Sequence, residues 1–159
     1  MSLKKVRKRK TKTRARPVPP FKFLEKIAIA DIAFEAYGKT LTELFVNCAK
    51  ATFEAMVDLK TVTPTQTDKV VLENKNLSDL LFDWLSELVY LKDYKAIVFK
   101  DFSVKIGQNM KYRLEAKVKG ETINAQKHKL RADVKAVTYH LFEVKKTNRL
   151  WKAKVILDI

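Results

Sequence analysis

Residues 77–91 read LSDLLFDWLSELVYL, and this stretch decides which fold class the chain can adopt. Its apolar residues recur at intervals of three and four, which places them on one face of an α-helix. After residue 95 the apolar residues follow the period of two that is typical of strands, over 96–106, 110–119, 132–146 and 149–157. A helix followed by consecutive strands predicts antiparallel hairpins, because parallel strands need long crossover connections.

The sequence before this helix predicts one more helix and two strands. Residues 40–43 read TLTE, a capping-box pattern that opens a helix over about 40–57. Residues 21–37 read as extended, and the alternation in their second half turns Asp31 away from the core. A short strand is expected over 68–73. The whole pattern predicts an α+β fold in which two amphipathic helices pack on a mostly antiparallel β-sheet.

The composition indicates one globular domain. The chain has 159 residues, of which 47% are hydrophobic, enough to bury a core. Its apolar runs are shorter than the roughly 18 residues that cross a bilayer, so no membrane association is expected. The basic N-terminus lacks the apolar stretch of a secretory signal, and one cysteine makes no internal disulfide. A cytoplasmic protein is therefore expected.

Positive charge is concentrated at the N-terminus. The formal net charge is +15, and residues 1–20 hold nine basic residues and no acidic one. This block, which ends in the proline-rich residues 17–20, predicts a disordered basic arm, with a folded domain over 21–159. Such an arm is able to bind RNA phosphates without sequence preference. A solvated extension without a partner is the alternative interpretation.

The side chains that most often carry chemistry give weak signals here. Cys48 lies on the apolar face of the first helix, which favours a core position. His128 and His140 show neither metal-ligand spacing nor a paired nucleophile, although contact of His128 with a phosphate or metal stays open. An acidic row on the second helix is either a solvated face or the side of a functional pocket; it consists of Asp79, Asp83 and Glu87.

The last nine residues, WKAKVILDI at 151–159, form a strand that runs to the end of the sequence. Alternation turns Asp158 away from the apolar face, next to the α-carboxylate of Ile159. If Asp31 of the first strand approaches as a third carboxylate, the three negative charges call for a hard divalent cation such as calcium or magnesium. Strand pairing is not visible in the sequence, so this convergence is a hypothesis.

Five segments in the same order and spacing resemble the archease family, from about Phe23 to the last residue. The first is Ala30-Asp31-Ile32, followed by Ala36-Tyr37-Gly38 and the Thr40-Leu41 helix start. The others include Lys127-His128, and the most specific are the last two. The second segment is Asp79-Leu80-Leu81-Phe82-Asp83-Trp84-Leu85-Ser86-Glu87-Leu88, and the last two are Val134-Lys135-Ala136-Val137-Thr138-Tyr139-His140 and Val155-Ile156-Leu157-Asp158-Ile159.

The resemblance implies an archease-like fold and a divalent-ion site. Carried over residue by residue, the ion ligands are Asp31, Asp158 and Ile159, the ion is calcium, with magnesium or manganese as alternatives, and Lys135 acts near it. Asp83 and Glu87 are implied as second contributors. This sequence departs from the family pattern before Asp31. The family usually reads Glu-His-Thr-Ala-Asp, whereas here four residues stand between Glu25 and Ala30-Asp31, two more than usual, and the His-Thr pair is absent.

The resemblance also implies a function. Archeases are protein cofactors, not enzymes, that promote guanylylation and multiple turnover of an RtcB-type RNA ligase in tRNA splicing or RNA repair. The alternative from a different class is a general RNA-binding protein that uses the arm, with structural carboxylates. A third interpretation, a metal-dependent hydrolase, lacks a nucleophile or general-base constellation.

Overall fold

The structure is a computed structural model that describes residues 17–24 and 31–159. Seven strands, two α-helices and one short 3-10 turn at Leu59–Thr61 make up the described part. The strands are β1 (Phe21–Phe23), β2 (Asp31–Gly38), β3 (Gln66–Asn74), β4 (Ile97–Gln108), β5 (Tyr112–Thr122), β6 (Ala136–Thr147) and β7 (Leu150–Asp158). The helices are α1 (Leu41–Glu54) and α2 (Leu77–Lys95).

The strands form two antiparallel sheets. One has the order β1-β2-β7-β6 and the other the order β3-β5-β4. Each helix contacts strands of both sheets, α1 mainly β2 and β4, α2 mainly β6 and β3. The predicted α+β class with two helices on antiparallel strands is confirmed, and the strands are divided between two sheets. Because α1 has a sheet on either side, it is buried more widely than an amphipathic surface helix, and even its Asn47 and Thr52 are buried.

Local signals set the ends of both helices. Thr40 caps α1, since its hydroxyl oxygen accepts a hydrogen bond from the Glu43 backbone N–H at 3.1 Å. Asn76 caps α2 in the same way, since its side-chain oxygen accepts a hydrogen bond from the Asp79 N–H at 3.1 Å. Helix α2 ends at Ala96, whose left-handed φ of 52° turns the chain directly into β4.

The core is one cluster between the sheets. Its largest fully buried side chains are aromatic, and Trp84 also donates a hydrogen bond from Nε1 to the Phe45 carbonyl oxygen at 3.1 Å. Cys48 is fully buried in this cluster, as predicted, and burial raises the pKa of its thiol well above the usual value. A thiol in this state is a packing group and not a nucleophile.

Two expectations about strands need correction, and the expected N-terminal arm lies largely outside the described residues. Residues 132–135 do not extend β6; the backbone N–H groups of Arg131 and Ala132 donate instead to carbonyl oxygens at the end of α1. The expected strand over 21–37 is two strands, β1 and β2, that pair with each other. The predicted arm falls mostly on residues 1–16, which the structure does not describe.

Candidate metal site at the end of the chain

Strand pairing places Asp31 directly opposite Asp158. Strand β2 runs antiparallel to β7, and their register begins with this pair. Directly opposed residues have Cβ atoms about 4.5–5.5 Å apart and side chains on the same face of the sheet. That face is the one turned away from the helices, because the neighbouring Ile32 and Leu157 pack toward the core. Both aspartates are half-buried.

The last residue of the sequence and Lys135 lie beside this pair. Strand β6 flanks β7 on its other side, with Ala136 opposite Asp158. Just before β6, the Lys135 N–H donates to the Asp158 carbonyl oxygen at 2.8 Å. Ile159 follows Asp158 directly, and its half-buried side chain packs against the core. The structure thus brings together the three ion ligands implied by the resemblance, Asp31, Asp158 and Ile159, and Lys135 beside them.

The donor set fits a hard cation. Two aspartates and one α-carboxylate offer up to six oxygen atoms, the ligand type that Ca²⁺ takes at 2.3–2.6 Å with water completing the shell. Among the described residues, no three His, Cys, Asp or Glu side chains gather as a metal site, and the ligand set implied by the resemblance takes its third carboxylate from the main chain of Ile159. Like charges placed directly opposite each other repel, and a cation between them removes that repulsion.

A neighbouring carboxylate on the same sheet face is already neutralised. Glu35 accepts a hydrogen bond from the Tyr37 hydroxyl at 2.5 Å and lies within 3.5 Å of the amines of Lys22 and Lys152. The Tyr37 hydrogen bond and the lysines hold the pKa of the Glu35 carboxyl below its usual value, although burial opposes this. In contrast, the ion pairs found within 17–24 and 31–159 include neither Asp31 nor Asp158.

A mostly apolar cavity of about 350 Å³ opens beside Asp31. Phe23, Leu24 and Ile32 line it on the sheet side. On the other side, Arg131 donates to the Glu54 carbonyl oxygen and to Glu54 Oε1, both at 2.8 Å. Because its guanidinium is held by Glu54, Arg131 forms a fixed wall of the cavity.

The structure assigns His128 a structural role. Its ring is buried, Nδ1 accepts a hydrogen bond from the Asn124 N–H at 3.0 Å, and Nε2 lies 2.8 Å from Glu121 Oε2. Since Nδ1 is an acceptor, Nε2 carries the proton and donates to Glu121. Both ring nitrogens are therefore occupied, which removes the alternative of a phosphate or metal contact by His128.

Glu121 gives this region a defined response to acid. Lys127, His128 and the Thr63 N–H all donate to its carboxylate and lower its pKa from 4.5 to about 2. A carboxyl whose pKa is lower in the folded state stabilises the fold above pH 4.5, and this contribution disappears as the pH falls toward 2. We expect Glu121→Gln to be less stable at neutral pH and to lose less stability between pH 5 and pH 2, measured by urea unfolding. Parallel pH profiles of Glu121→Gln and wild type would contradict this, and Glu87→Gln is the control.

The acidic row of α2 does not join the site. Asp83 accepts a hydrogen bond from the Asn74 side chain of β3 at 3.1 Å, which directs it toward the other sheet. Asp79 is exposed, and Glu87 is half-buried. The described residues show no cluster that links this row to Asp31 and Asp158. The structure therefore gives no support to Asp83 and Glu87 as second contributors.

Sequence reasoning missed Lys92, which fixes the segment that leads into Lys135. Its side chain is only 5% exposed, and Nζ donates to the Val134 carbonyl oxygen at 2.8 Å and to Asp133 at 3.1 Å. The signal was present in the sequence, because Lys92 follows Leu88 by four residues and so shares the buried face of α2. A lysine there needs acceptors, and the 131–135 segment provides them.

Within the described residues, no helix is both long enough and apolar enough to cross a membrane.

Comparisons with known proteins all indicate the same family. The model of the Archease protein family matches residues 21–159. A protein archease of Methanosarcina barkeri is 40% identical over 132 residues, which is 82% of this chain and 90% of the relative. A protein archease of Pyrococcus abyssi is 37% identical over 132 residues, covering 82% of this chain and 93% of the relative.

Two solved structures share the fold. The solution structure of a Methanobacterium thermoautotrophicum protein has a TM-score of 0.78 and 38% identity, covering 88% of this chain and 99% of that one. A Thermotoga maritima archease, described as a possible chaperone, has a TM-score of 0.60 over 83% of this chain and 93% of that one. Its 20% identity supports the fold alone. Family model, sequence relatives and fold agree that this chain belongs to the archease family.

Proposed function

We propose that this archease is a protein cofactor of an RtcB-type RNA ligase and catalyses no reaction itself. The observation that carries the proposal is the register of β2 on β7, which sets Asp31 against Asp158 beside the α-carboxylate of Ile159. Three carboxylates in one place form a site for a divalent cation, Ca²⁺ with Mg²⁺ or Mn²⁺ as alternatives. In this proposal the cofactor works in the cytoplasm, during tRNA splicing or RNA repair.

The residues of the site have separate roles in this proposal. Asp31, Asp158 and the Ile159 carboxylate hold the ion in a fixed position, because two of them lie in paired strands and the third follows directly. A bound divalent ion supplies positive charge toward phosphate oxygens of a nucleotide. Lys135 is bound to Asp158 through its backbone N–H, and its exposed side chain adds a second positive charge in this proposal. The ligase would thus receive preorganised electrostatic stabilisation from a second protein while its own histidine is guanylylated.

The chemistry of the described side chains favours a cofactor over a metal-dependent hydrolase. Cys48 is buried with a raised thiol pKa, and both ring nitrogens of His128 are engaged. Neither side chain is available as a nucleophile or general base near the proposed ion.

The direct test measures ligase guanylylation with GTP in the presence of Asp158→Asn, which keeps the shape of the side chain and removes its charge. We expect stimulation to fall at least about 100-fold, because even a lost outer-shell partner of a metal ligand costs 10–100-fold. Asp31→Asn should behave in the same way.

The matched control is Asp101→Asn, an exposed aspartate on β4 of the other sheet. This variant should stimulate the ligase like wild type. Thermal unfolding of all three variants establishes that they are folded. Full stimulation by a folded Asp158→Asn protein would remove the carboxylate site from the mechanism.

A further inference from the structure

The outer face of the sheet β3-β5-β4 carries a group of lysines that the proposed metal site does not involve. The side chains of this face alternate with core residues such as Val70, Leu114 and Val118, so both helices pack on the opposite face. Strand register brings the lysines together in adjacent rows of the face. We call this group the lysine face, and it consists of Lys69, Lys105, Lys117 and Lys119.

The lysines of this face lie close to one another and are not neutralised. Lys69 is directly opposite Lys117 in the register, an arrangement of like charges that destabilises a sheet. Lys119 follows Lys117 on the same face of β5, and Lys105 lies diagonally across on β4. All four are exposed, and within residues 17–24 and 31–159 none has a carboxylate within 4.0 Å.

The acidic residues of the face are largely held by other cations. Arg113 donates to Glu73 and to Glu115, each at 2.9 Å. Asp101, opposite Lys119, is the third acidic side chain in these rows. Lys111 also pairs with Glu73, so two cations balance these two carboxylates, and four lysines remain against one aspartate. The lysine face therefore presents net positive charge to solvent.

Protection of a sheet edge does not explain these lysines. Exposed edge strands often carry lysine to block pairing with other chains, and this reason applies to Lys69 on the edge strand β3. It does not apply to Lys117 and Lys119, because β5 is the central strand of the sheet. Two lysines on the central strand, one opposed by a third lysine, indicate a negatively charged partner.

The shape and composition of the face favour a phosphate backbone over a protein surface. A groove of about 430 Å³ runs between Lys69, Lys105 and Lys117. Its exposed apolar side chain is Val71, and the face has no aromatic residue, whereas protein interfaces are enriched in aromatics and depleted of lysine. Without aromatics, bases have no stacking platform, so contacts are to phosphates and independent of sequence.

We infer that the lysine face binds the phosphate backbone of RNA. The choice of RNA over DNA rests on the proposed function, in which the ligase joins RNA ends. This surface belongs to the folded domain and includes no residue of the N-terminal arm, 1–20.

The test compares two variants of the full chain in binding to a fluorescein-labelled single-stranded RNA, by anisotropy at several salt concentrations and without ligase. The first variant replaces the lysine face with glutamine at Lys69, Lys105, Lys117 and Lys119. The control replaces four other exposed lysines, so both variants lose the same charge. These lysines have no ion pair with the described part of the chain: Lys39, Lys60, Lys75 and Lys129.

Each phosphate contact on a single strand contributes about 0.7 to the slope of log affinity against log salt. We expect the slope of the lysine-face variant to fall by about 3 and its affinity at 0.15 M salt to fall on the order of 100-fold. The control variant should stay within about threefold of wild type. Equal losses in both variants, or no loss in the first, would overturn the inference.

An acidic peptide serves as a second probe. If the lysine-face variant keeps its affinity for RNA but loses affinity for the peptide, the surface binds protein and the inference is wrong. Because the ligase is absent, these outcomes are independent of whether Asp158 supports guanylylation.

Discussion

Adding residues after Ile159 should weaken Ca²⁺ binding by more than about 100-fold, while the same residues added before Met1 leave it unchanged. Extension converts the α-carboxylate into an amide and so removes one of three negative charges from the proposed site. Loss of an outer-shell partner alone costs 10–100-fold in metal affinity, and loss of a ligand is expected to cost more. Isothermal titration calorimetry of the two extended chains measures the difference.

Packing around the last residue adds to this effect. The Ile159 side chain is half-buried against the core, and Asp158 is held by strands on both sides. Residues added after Ile159 must therefore continue from a packed position next to the pair of Asp31 and Asp158. Ile159→Val keeps the carboxylate and most of the packing, so it should bind the ion like wild type. Equal affinity of the C-terminally and N-terminally extended chains would exclude the Ile159 carboxylate as a ligand.

Trp84→Ala should lower the free energy of unfolding by about 3–5 kcal/mol, the usual cost of removing a buried aromatic side chain. Trp84 is completely buried on α2, contacts Phe102 edge to face, and donates to the Phe45 carbonyl oxygen of α1. It joins both helices to the sheet β3-β5-β4. Urea unfolding followed by circular dichroism measures the loss.

Two further variants keep this prediction testable if Trp84→Ala does not fold. Trp84→Phe retains a large apolar ring and loses the hydrogen bond, so a loss of about 1–2 kcal/mol is expected. Tyr94→Ala removes an aromatic ring that is 72% exposed and should change stability by less than about 0.5 kcal/mol. Similar stabilities of Trp84→Phe and Trp84→Ala would show that the volume of the ring contributes little.

The helices and their caps were predictable because their signals are local. Thr40 and Asn76 act on N–H groups three residues away, and the apolar faces of α1 and α2 repeat within one or two turns. Alternation likewise predicted that Asp31 and Asp158 avoid the core. The family resemblance, carried by short segments, was confirmed by the match over residues 21–159.

Lys92 and His128 show why other features escaped. Hydrogen-bond partners of both side chains lie in loops. The Val134 carbonyl oxygen accepts a hydrogen bond from Lys92, and the Asn124 N–H donates one to the His128 ring. Loop sequences have no periodic pattern of apolar residues, so the path of their backbone cannot be predicted in this way. The acidic row of α2 had a regular spacing, yet its direction toward β3 depended on how the helix was rotated between the sheets.

The amino-acid sequence by itself determined the two helices, most of the strands, the face on which each aspartate lies and the family. The tertiary structure alone decided that the second strand and the last strand are neighbours, that β6 borders β7 on the other side, and that the strands separate into two sheets. The reason is physical: periodicity arises from the geometry of adjacent residues, whereas pairing between Asp31 and Asp158 depends on the packing of everything between them. A shift of one residue in that register would move one aspartate to the opposite face and separate the two carboxylates.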